Sequence, residues 1–255
     1  AEAGLDFVKD DELMADPPHS PFAERVRAVM EAVNEHAERS GKRVMVAFNI
    51  SGELEDMYRR HDAVLAAGGS CVMLSLNSVG FAAATALRRH SALPIHGHRN
   101  GWGMLSRHPA LGLDFVAYQK LWRLVGVDQL HVNGLANKFH EDDASVLRSL
   151  EACRTPLFGP EDTGLDDTVL NDTVLPVVSS GQTVRQVGAT YRAAGTADLL
   201  FLAGGGVMAH PQGPAAGVAA LRQAWDAAIK GLEPRTYAET HGELKAAFET
   251  FGEPL

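Results

Sequence analysis

The sequence predicts an α/β fold, a (β/α)8 barrel of the TIM type, and three observations carry that prediction. Seven short apolar runs alternate with seven helical stretches along the whole chain, the pattern of parallel strands joined by right-handed crossovers. Polar residues stand just after nearly every apolar run: Lys9 and Asp11, Asn49, Asn77, His98–Arg99, His131 and Asn133, Ser179–Ser180, and Gly204–Gly206. A barrel gathers such positions on one catalytic face, whereas an open doubly wound sheet, which the alternation alone also fits, scatters them. The strand count is one short of eight, and the missing strand is expected before residue 1.

Each element has its own signal. Residues 4–10 read as a strand. Pro17, Pro18 and Pro21 break the chain, and Ser20 can cap a helix over 22–40. RVMVAFN (43–49) is an apolar strand, followed after Gly52 by a helix to Leu65. SCVMLSL (70–76) is the next strand, with a helix to His90. Residues 93–98 form a strand, and 115–124 carry apolar residues at helical spacing, among them Leu121 and Trp122. A strand at 128–132 precedes a helix near 143–152. LPVVS (175–179) leads to a helix near 183–193, and LLFLA (199–203) to a helix that opens at Pro214 and runs to about 229. Residues 154–174 read as an irregular polar excursion. The barrel is expected over 1–231, with a helical extension over 232–255.

Composition excludes several classes. The 255 residues are 45% hydrophobic and 22% charged, ordinary for a soluble globular protein. A formal net charge of −9 leaves no basic footprint for nucleic acid. Cys71 and Cys153 have neither metal-ligand spacing nor a disulfide framework, which fits reduced thiols in the cytoplasm. No apolar run is long enough to span a membrane and no signal peptide is visible. The chain starts at Ala1, almost inside a strand, and reads as a fragment or a processed chain.

The most informative segment is GLDFVKDDE (4–12), an apolar strand ending in one lysine and three acids. Alternation along a strand points Lys9 and Asp11 the same way, and Glu12 joins them if the chain turns. Two carboxylates at a strand end suit a hard cation such as Mg2+, and a lysine carbamate would add oxygens. Taken alone, the more ordinary reading is a lysine paired with its acidic neighbours on a solvated turn. The run LLFLAGGGVMAHPQG (199–213) ends a strand in three glycines, and Ser179-Ser180-Gly181 ends the strand before it. Barrels commonly hold a phosphate at these two strand ends, though tight turns use glycine as well. Arg99 suits bidentate binding of phosphate or carboxylate. His98 and His131 close strands, and His96 is expected to be hydrogen-bonded inside the barrel. Lys138 lies in the loop NGLANKFH (133–140), which reads either as a mobile loop able to fold over substrate or as an exposed loop with a solvated lysine. Trp102 and Trp122 read as packing residues.

These segments resemble the catalytic barrel of the ribulose-bisphosphate carboxylase superfamily. GLDFVKDDE is the most specific match, supported by IHGHR (95–99), His131, Asn137-Lys138, LPVVSSG (175–181) and GGGVMAHPQG (204–213). The resemblance spans essentially the whole chain in order. It implies an N-terminal α/β domain and a first barrel strand ahead of residue 1, and therefore an isolated chain that is unstable or inactive. It implies that Lys9 is carbamylated by CO2 and binds one Mg2+ with Asp11 and Glu12. It places His98 near the reacting carbons, with Arg99 and His131 holding one phosphate or another acidic end. It makes Lys138 the loop cation that closes over substrate, and Ser179, Gly181, Gly204 and Gly205 the opposite phosphate site. A homodimer with shared active sites is expected.

The departures matter equally. Trp102 stands where the carboxylases carry a histidine, QLHVNGLANK replaces their paired histidines and Ser-Gly-Thr, and Ser180 replaces a glycine. The metal motif is intact while the substrate surroundings differ, so the resemblance implies a RuBisCO-like protein and not a CO2-fixing enzyme. HVNGLANKF is most like members acting on 3-oxo-isoapionate 4-phosphate. The expected activity is a Mg2+-dependent lyase acting through an enediolate, by decarboxylation or by transcarboxylation and hydrolysis. The alternatives are an enolase or isomerase of methylthio-pentulose phosphates in sulfur salvage, or a non-catalytic barrel that binds metal and phosphate.

Overall fold

The computed structural model describes residues 1–108, 110, 112–158 and 172–255. Its strands are β1 (Phe7–Lys9), β2 (Met45–Asn49), β3 (Cys71–Ser75), β4 (Ile95–His98), β5 (Gln129–His131), β6 (Leu175–Val178) and β7 (Leu200–Phe201). They form one seven-stranded sheet in chain order, and each described register is parallel. The helices are α1 (Phe22–Ser40), α2 (Leu54–Ala66), α3 (Leu76–His90), α4 (Gly103–Ser106), α5 (Phe115–Val125), α6 (Asp143–Arg154), α7 (Val184–Ala194), α8 (Gly204–Met208), α9 (Pro214–Ile229), α10 (Pro234–Ala238) and α11 (Gly242–Phe251). Among the described residues, no helix is long and apolar enough to cross a membrane. The polar excursion expected over 154–174 falls largely on residues 159–171, outside the described residues.

The chain divides into two compact units. The first comprises Ala1, 6–131 and 152–175. Its strands β2 and β3 are near-continuous apolar runs because both of their faces are covered. Ala47, Cys71 and Met73 pack with Phe7 and Met45, while the alternate residues Val46, Phe48, Val72 and Leu74 are buried as well. The polar exceptions on these strands, Asn49 and Ser75, sit at their C-terminal ends and are buried too. Helix α1 buries the stripe Phe22, Val26, Met30 and Val33. Helix α5 starts on the Asp114 carboxylate, which accepts the Val116 and Ala117 amides, and stops at Gly126 with φ +99°. Arg123 of α5 donates to the carbonyls of Ala152, Thr155 and Asp172, tying three separate backbone positions to one helix.

The second unit comprises 2–5, 132–151 and 176–255. Within it β6 pairs with β7, Val177 opposite Leu200. Helix α7 opens with a capping box, Thr183 and Gln186 satisfying each other's backbone ends. The segment after residue 231 forms α10 and α11, whose Leu244, Ala247 and Phe248 pack with Val184 and Val187 of α7 and Ala220 and Ala224 of α9. Gln223 clamps the start of α11, donating to Glu243 Oε2 at 2.8 Å and accepting from the Leu244 amide at 3.0 Å. The glycine triplet reads as a loop in the sequence, yet it opens the short helix α8. A Cβ on Gly206 would lie 3.1 Å from Thr183 Cα, tighter than ordinary contact.

Phe248 is the largest of the buried side chains in the α7–α9–α11 cluster and is 1% exposed. Phe248→Ala should cost about 3–4 kcal/mol through lost transfer energy plus a residual cavity. Chemical unfolding of the complete protein measures this as a lower denaturant midpoint at unchanged slope.

Candidate active site

In the first unit, three consecutive acids at the end of β1 do three different things. Asp10 is turned inward: its Oδ2 accepts the Asn49 amide and Arg25 Nε, each at 3.1 Å. Burial pushes the Asp10 carboxyl up, and the Asn49 amide and Arg25 only partly oppose it. Asp11 is exposed, and its Oδ1 accepts the Leu13 amide at 2.8 Å, closing an Asx turn. Glu12 faces Lys9, with Nζ 3.1 Å from Oε2, and Lys9 also donates to the Asp10 carbonyl at 2.9 Å. Strict alternation would put Asp11 beside Lys9. The strand ends at Lys9, and the turn that follows brings Glu12 to the lysine instead.

Backbone bonds hold this turn. Asn49 Nδ2 donates to the carbonyls of Asp11 (3.2 Å) and Glu12 (3.0 Å), and Ser75 Oγ donates to the Glu12 carbonyl at 2.8 Å. Asn49 Oδ1 accepts from the Ser51 amide and hydroxyl, and Ser51 Oγ accepts the Ser75 amide at 2.7 Å. The strand-end position of Asn49 is visible in the sequence. The parts played by Ser51 and Ser75 are not, because a hydroxyl at a strand end carries no pattern of its own.

A chain of imidazoles adjoins the acidic turn. Gln129 Nε2 donates to Met45 Sδ at 3.4 Å, and a thioether can only accept. The amide oxygen therefore faces His96 Nδ1 at 2.7 Å, which places the His96 proton on Nδ1 and leaves Nε2 as an acceptor. His131 Nε2 lies 2.8 Å from His96 Nε2 and must supply the proton between them. His98 Nδ1 accepts the Asn100 amide at 3.2 Å, so its proton sits on Nε2, 3.6 Å from Glu12 Oε2. The His98 and His131 rings meet edge to face with centroids 4.3 Å apart. Burial holds all three neutral: it brings His96 down to about 3 and His98, with help from Lys9, to about 4. His131 lies well below the ordinary range through burial and its neighbouring cations. Burial alone would raise Glu12, but His98, its own backbone amide and Lys9 outweigh it and the net shift is downward.

Arg99 is buried with its guanidinium 4.1 Å above the Phe115 ring. Trp102 packs on Phe115 and Tyr118. The structure thus brings Lys9, Glu12, His98 and His131 into one contact chain, with Arg99 next to His98 and Asp11 on the adjoining turn. The donor set fits a divalent cation once Lys9 is a carbamate, since the modification replaces an ammonium with an anionic oxygen donor beside Glu12. Among the described residues, one group of three metal-type side chains lies elsewhere, His61, Asp62 and His90. His61 Nε2 accepts the Ala92 amide, so Nδ1 carries the proton given to Asp62, and the trio is a hydrogen-bonded clamp.

In the second unit, Lys138 lies against Ser180 and Gly181. The Lys138 amide donates to the Ser180 carbonyl at 3.2 Å, and the Lys138 stem passes 3.4 Å from where a Cβ on Gly181 would stand. Gly204 and Gly205 form the first turn of α8, where an added Cβ meets nothing within 4 Å. Packing does not demand glycine at those two positions.

Residues 1–251 match the ribulose bisphosphate carboxylase large chain, catalytic domain. The chain belongs to this family. A solved structure of a RuBisCO-like protein from Burkholderia fungorum superposes with a TM-score of 0.91 at 53% identity, over 97% of this chain and 59% of that one. The seven parallel strands are therefore those of the family's barrel. The chain is 53% identical over 243 residues to a 3-oxo-isoapionate-4-phosphate transcarboxylase/hydrolase of Xanthobacter autotrophicus, covering 95% of this chain and 56% of that protein. It is 46% identical over 253 residues to a 3-oxo-isoapionate-4-phosphate decarboxylase of Rhizobium rhizogenes, covering 98% of this chain and 58% of that protein. The chain thus spans between half and two thirds of the length of these relatives.

Two outcomes test this geometry in the complete, metal-free protein. His96 takes up its proton at a lower pH folded than unfolded, so its stabilising effect is whole above pH 6.5 and is lost as pH falls towards 3. Unfolding free energy should fall by about 1.4 kcal/mol per pH unit for each such histidine between pH 6 and 4, and His96→Gln should flatten the slope by that amount. Asn49→Ala should weaken Mg2+ binding by about tenfold or more, read by calorimetry, because the carbonyls that set Glu12 lose their donor.

Proposed function

We propose that the complete protein is a Mg2+-dependent RuBisCO-like enzyme that removes the carboxyl group of 3-oxo-isoapionate 4-phosphate, as CO2 or by transfer and hydrolysis. The observation that carries this reading is the Lys9–Glu12 pair fixed at the end of β1, with neutral His98 3.6 Å from Glu12. The identities of 46–53% to relatives named for that substrate support the choice. Lys9 as its CO2 adduct, Asp11 and Glu12 would hold the ion, which when bound supplies a Lewis acid for the negative charge that develops on substrate oxygens.

The chemistry asked of the chain is that of a 3-oxo acid. The bond between the carboxyl carbon and C2 breaks, its electron pair moves onto the 3-oxo group to give the enediolate, and a proton returned to C2 completes the product. His98 offers Nε2–H as a neutral donor, whose worth is highest where charge appears during reaction. A neutral imidazole serves this purpose without competing with a cation for the same carboxylates. Arg99 is the fixed charge for the carboxylate or phosphate end, stiffened by its stacking on Phe115, with His131 beside it and oriented by His96. Lys138, Ser179, Gly181, Gly204 and Gly205 serve the opposite phosphate. A homodimer with shared active sites completes the proposal.

The test uses the complete protein with Mg2+, CO2 and substrate carrying a 13C carboxyl group. Labelled CO2 identifies the decarboxylase; label retained in a second acid identifies the transcarboxylase. Lys9→Met should lower turnover by at least about a thousandfold, as loss of a metal ligand predicts. Turnover of a methylthio-pentulose phosphate in place of the acid would replace the proposal with the sulfur-salvage reading. Mg2+ binding without turnover of either would leave a binding barrel.

A further inference from the structure

Arg25, in the first turn of α1, gives every N–H of its guanidinium to the acidic turn and the chain that follows it. Nε donates to Asp10 Oδ2 at 3.1 Å. Nη1 donates to the Ser20 carbonyl at 2.6 Å and to Ser20 Oγ at 3.2 Å. Nη2 donates to the carbonyls of Met14 and Ala15, each at 2.8 Å. A guanidinium has five N–H donors, and here each meets an oxygen. The side chain is only 10% exposed. Ser20, which reads in the sequence as a cap for α1, faces this arginine instead, and the helix opens at Pro21 without a side-chain cap.

A second arginine works on the same segment. Arg60 of α2 donates to Asp16 Oδ2 at 3.2 Å and to the Ser51 carbonyl at 2.9 Å, while Asp16 Oδ1 accepts the Phe22 amide at 2.7 Å. Both guanidinium carbons lie against the Phe22 ring, 5.5 Å and 5.8 Å from its centre. Asp10 joins this arrangement to the residues around Lys9. Its amide donates to the Ala47 carbonyl at 3.0 Å, its carboxylate accepts from Arg25 and from the Asn49 amide, and its carbonyl accepts Lys9 Nζ at 2.9 Å. A buried carboxylate is costly without a cation beside it. With Arg25 as that cation the pair is neutral, so Asp10 adds no third negative charge to the turn and Arg25 adds no free positive one.

We propose that Arg25 is a positioning residue for the divalent ion: it engages Asp10 and the carbonyls beyond Glu12, and so decides which acids of the turn are left for the ion and where they stand. This rests on the reading of Lys9, Asp11 and Glu12 as ion ligands. Arg25 acts through Asp10 and the backbone, from the side of the turn that faces α1, whereas Asn49 acts from β2.

The experiment measures Mg2+ binding to the complete protein by calorimetry, at fixed CO2 and without substrate. Equilibration with 13CO2 follows the Lys9 carbamate by NMR in the same samples. Arg25→Lys keeps a positive charge on a long stem but has three donors and no planar fork. It should weaken Mg2+ binding by about tenfold or more and lower the carbamate signal at a given Mg2+ concentration. Arg25→Met should weaken binding at least as much. Arg27→Met, at an exposed position of the same helix, should change it by less than about twofold. Thermal unfolding without Mg2+ establishes that each variant is folded. A folded Arg25→Lys protein that binds Mg2+ and forms carbamate like the wild type would overturn the proposal, since the arginine would then serve stability alone. Wild-type protein that binds no Mg2+ would remove the metal reading first and the role of Arg25 with it. Substrate is absent throughout, so failure of the decarboxylase reading does not move these results.

Discussion

The side-chain amide of Asn49 is the contact on which the candidate chemistry depends. It reaches from the end of β2 to two carbonyls of the acidic turn after β1, and its oxygen is steadied by Ser51. A turn of three acids would repel itself and splay into solvent if nothing gripped its backbone. Here the grip is applied to carbonyls, so the carboxylates are left to face different ways. Asn49 is fully buried, and a buried amide that satisfies donors and acceptors on both ends tolerates little displacement.

Much of the architecture was legible in the sequence because it follows from apolar periodicity and from polar residues at strand ends. All seven strands lie within or close to their expected ranges, and the motif around Lys9 points to the right family. What periodicity could not give was the direction of each acid. Alternation holds only while the strand lasts, and β1 stops at Lys9, so Glu12 and not Asp11 meets the lysine. Nor could it reveal the helix in the glycine triplet, where Gly206 lies close against Thr183. Nor could it reveal that Asn133, in left-handed backbone, accepts the Ser180 hydroxyl.

The candidate site shows how groups that burial keeps neutral can be oriented by arrangement. A thioether fixes an amide, the amide fixes one imidazole, and that imidazole fixes the next. Each link transmits only the choice of which nitrogen carries hydrogen, so no charge has to be buried to obtain orientation. The charged groups at the end of β1 are left to pair with one another.

The paired ring nitrogens of His96 and His131 have a further meaning for the molecule as a material. There is room for one hydrogen between them, and a second would force neighbouring strands β4 and β5 apart. Acid would therefore prise open the seam between these two strands.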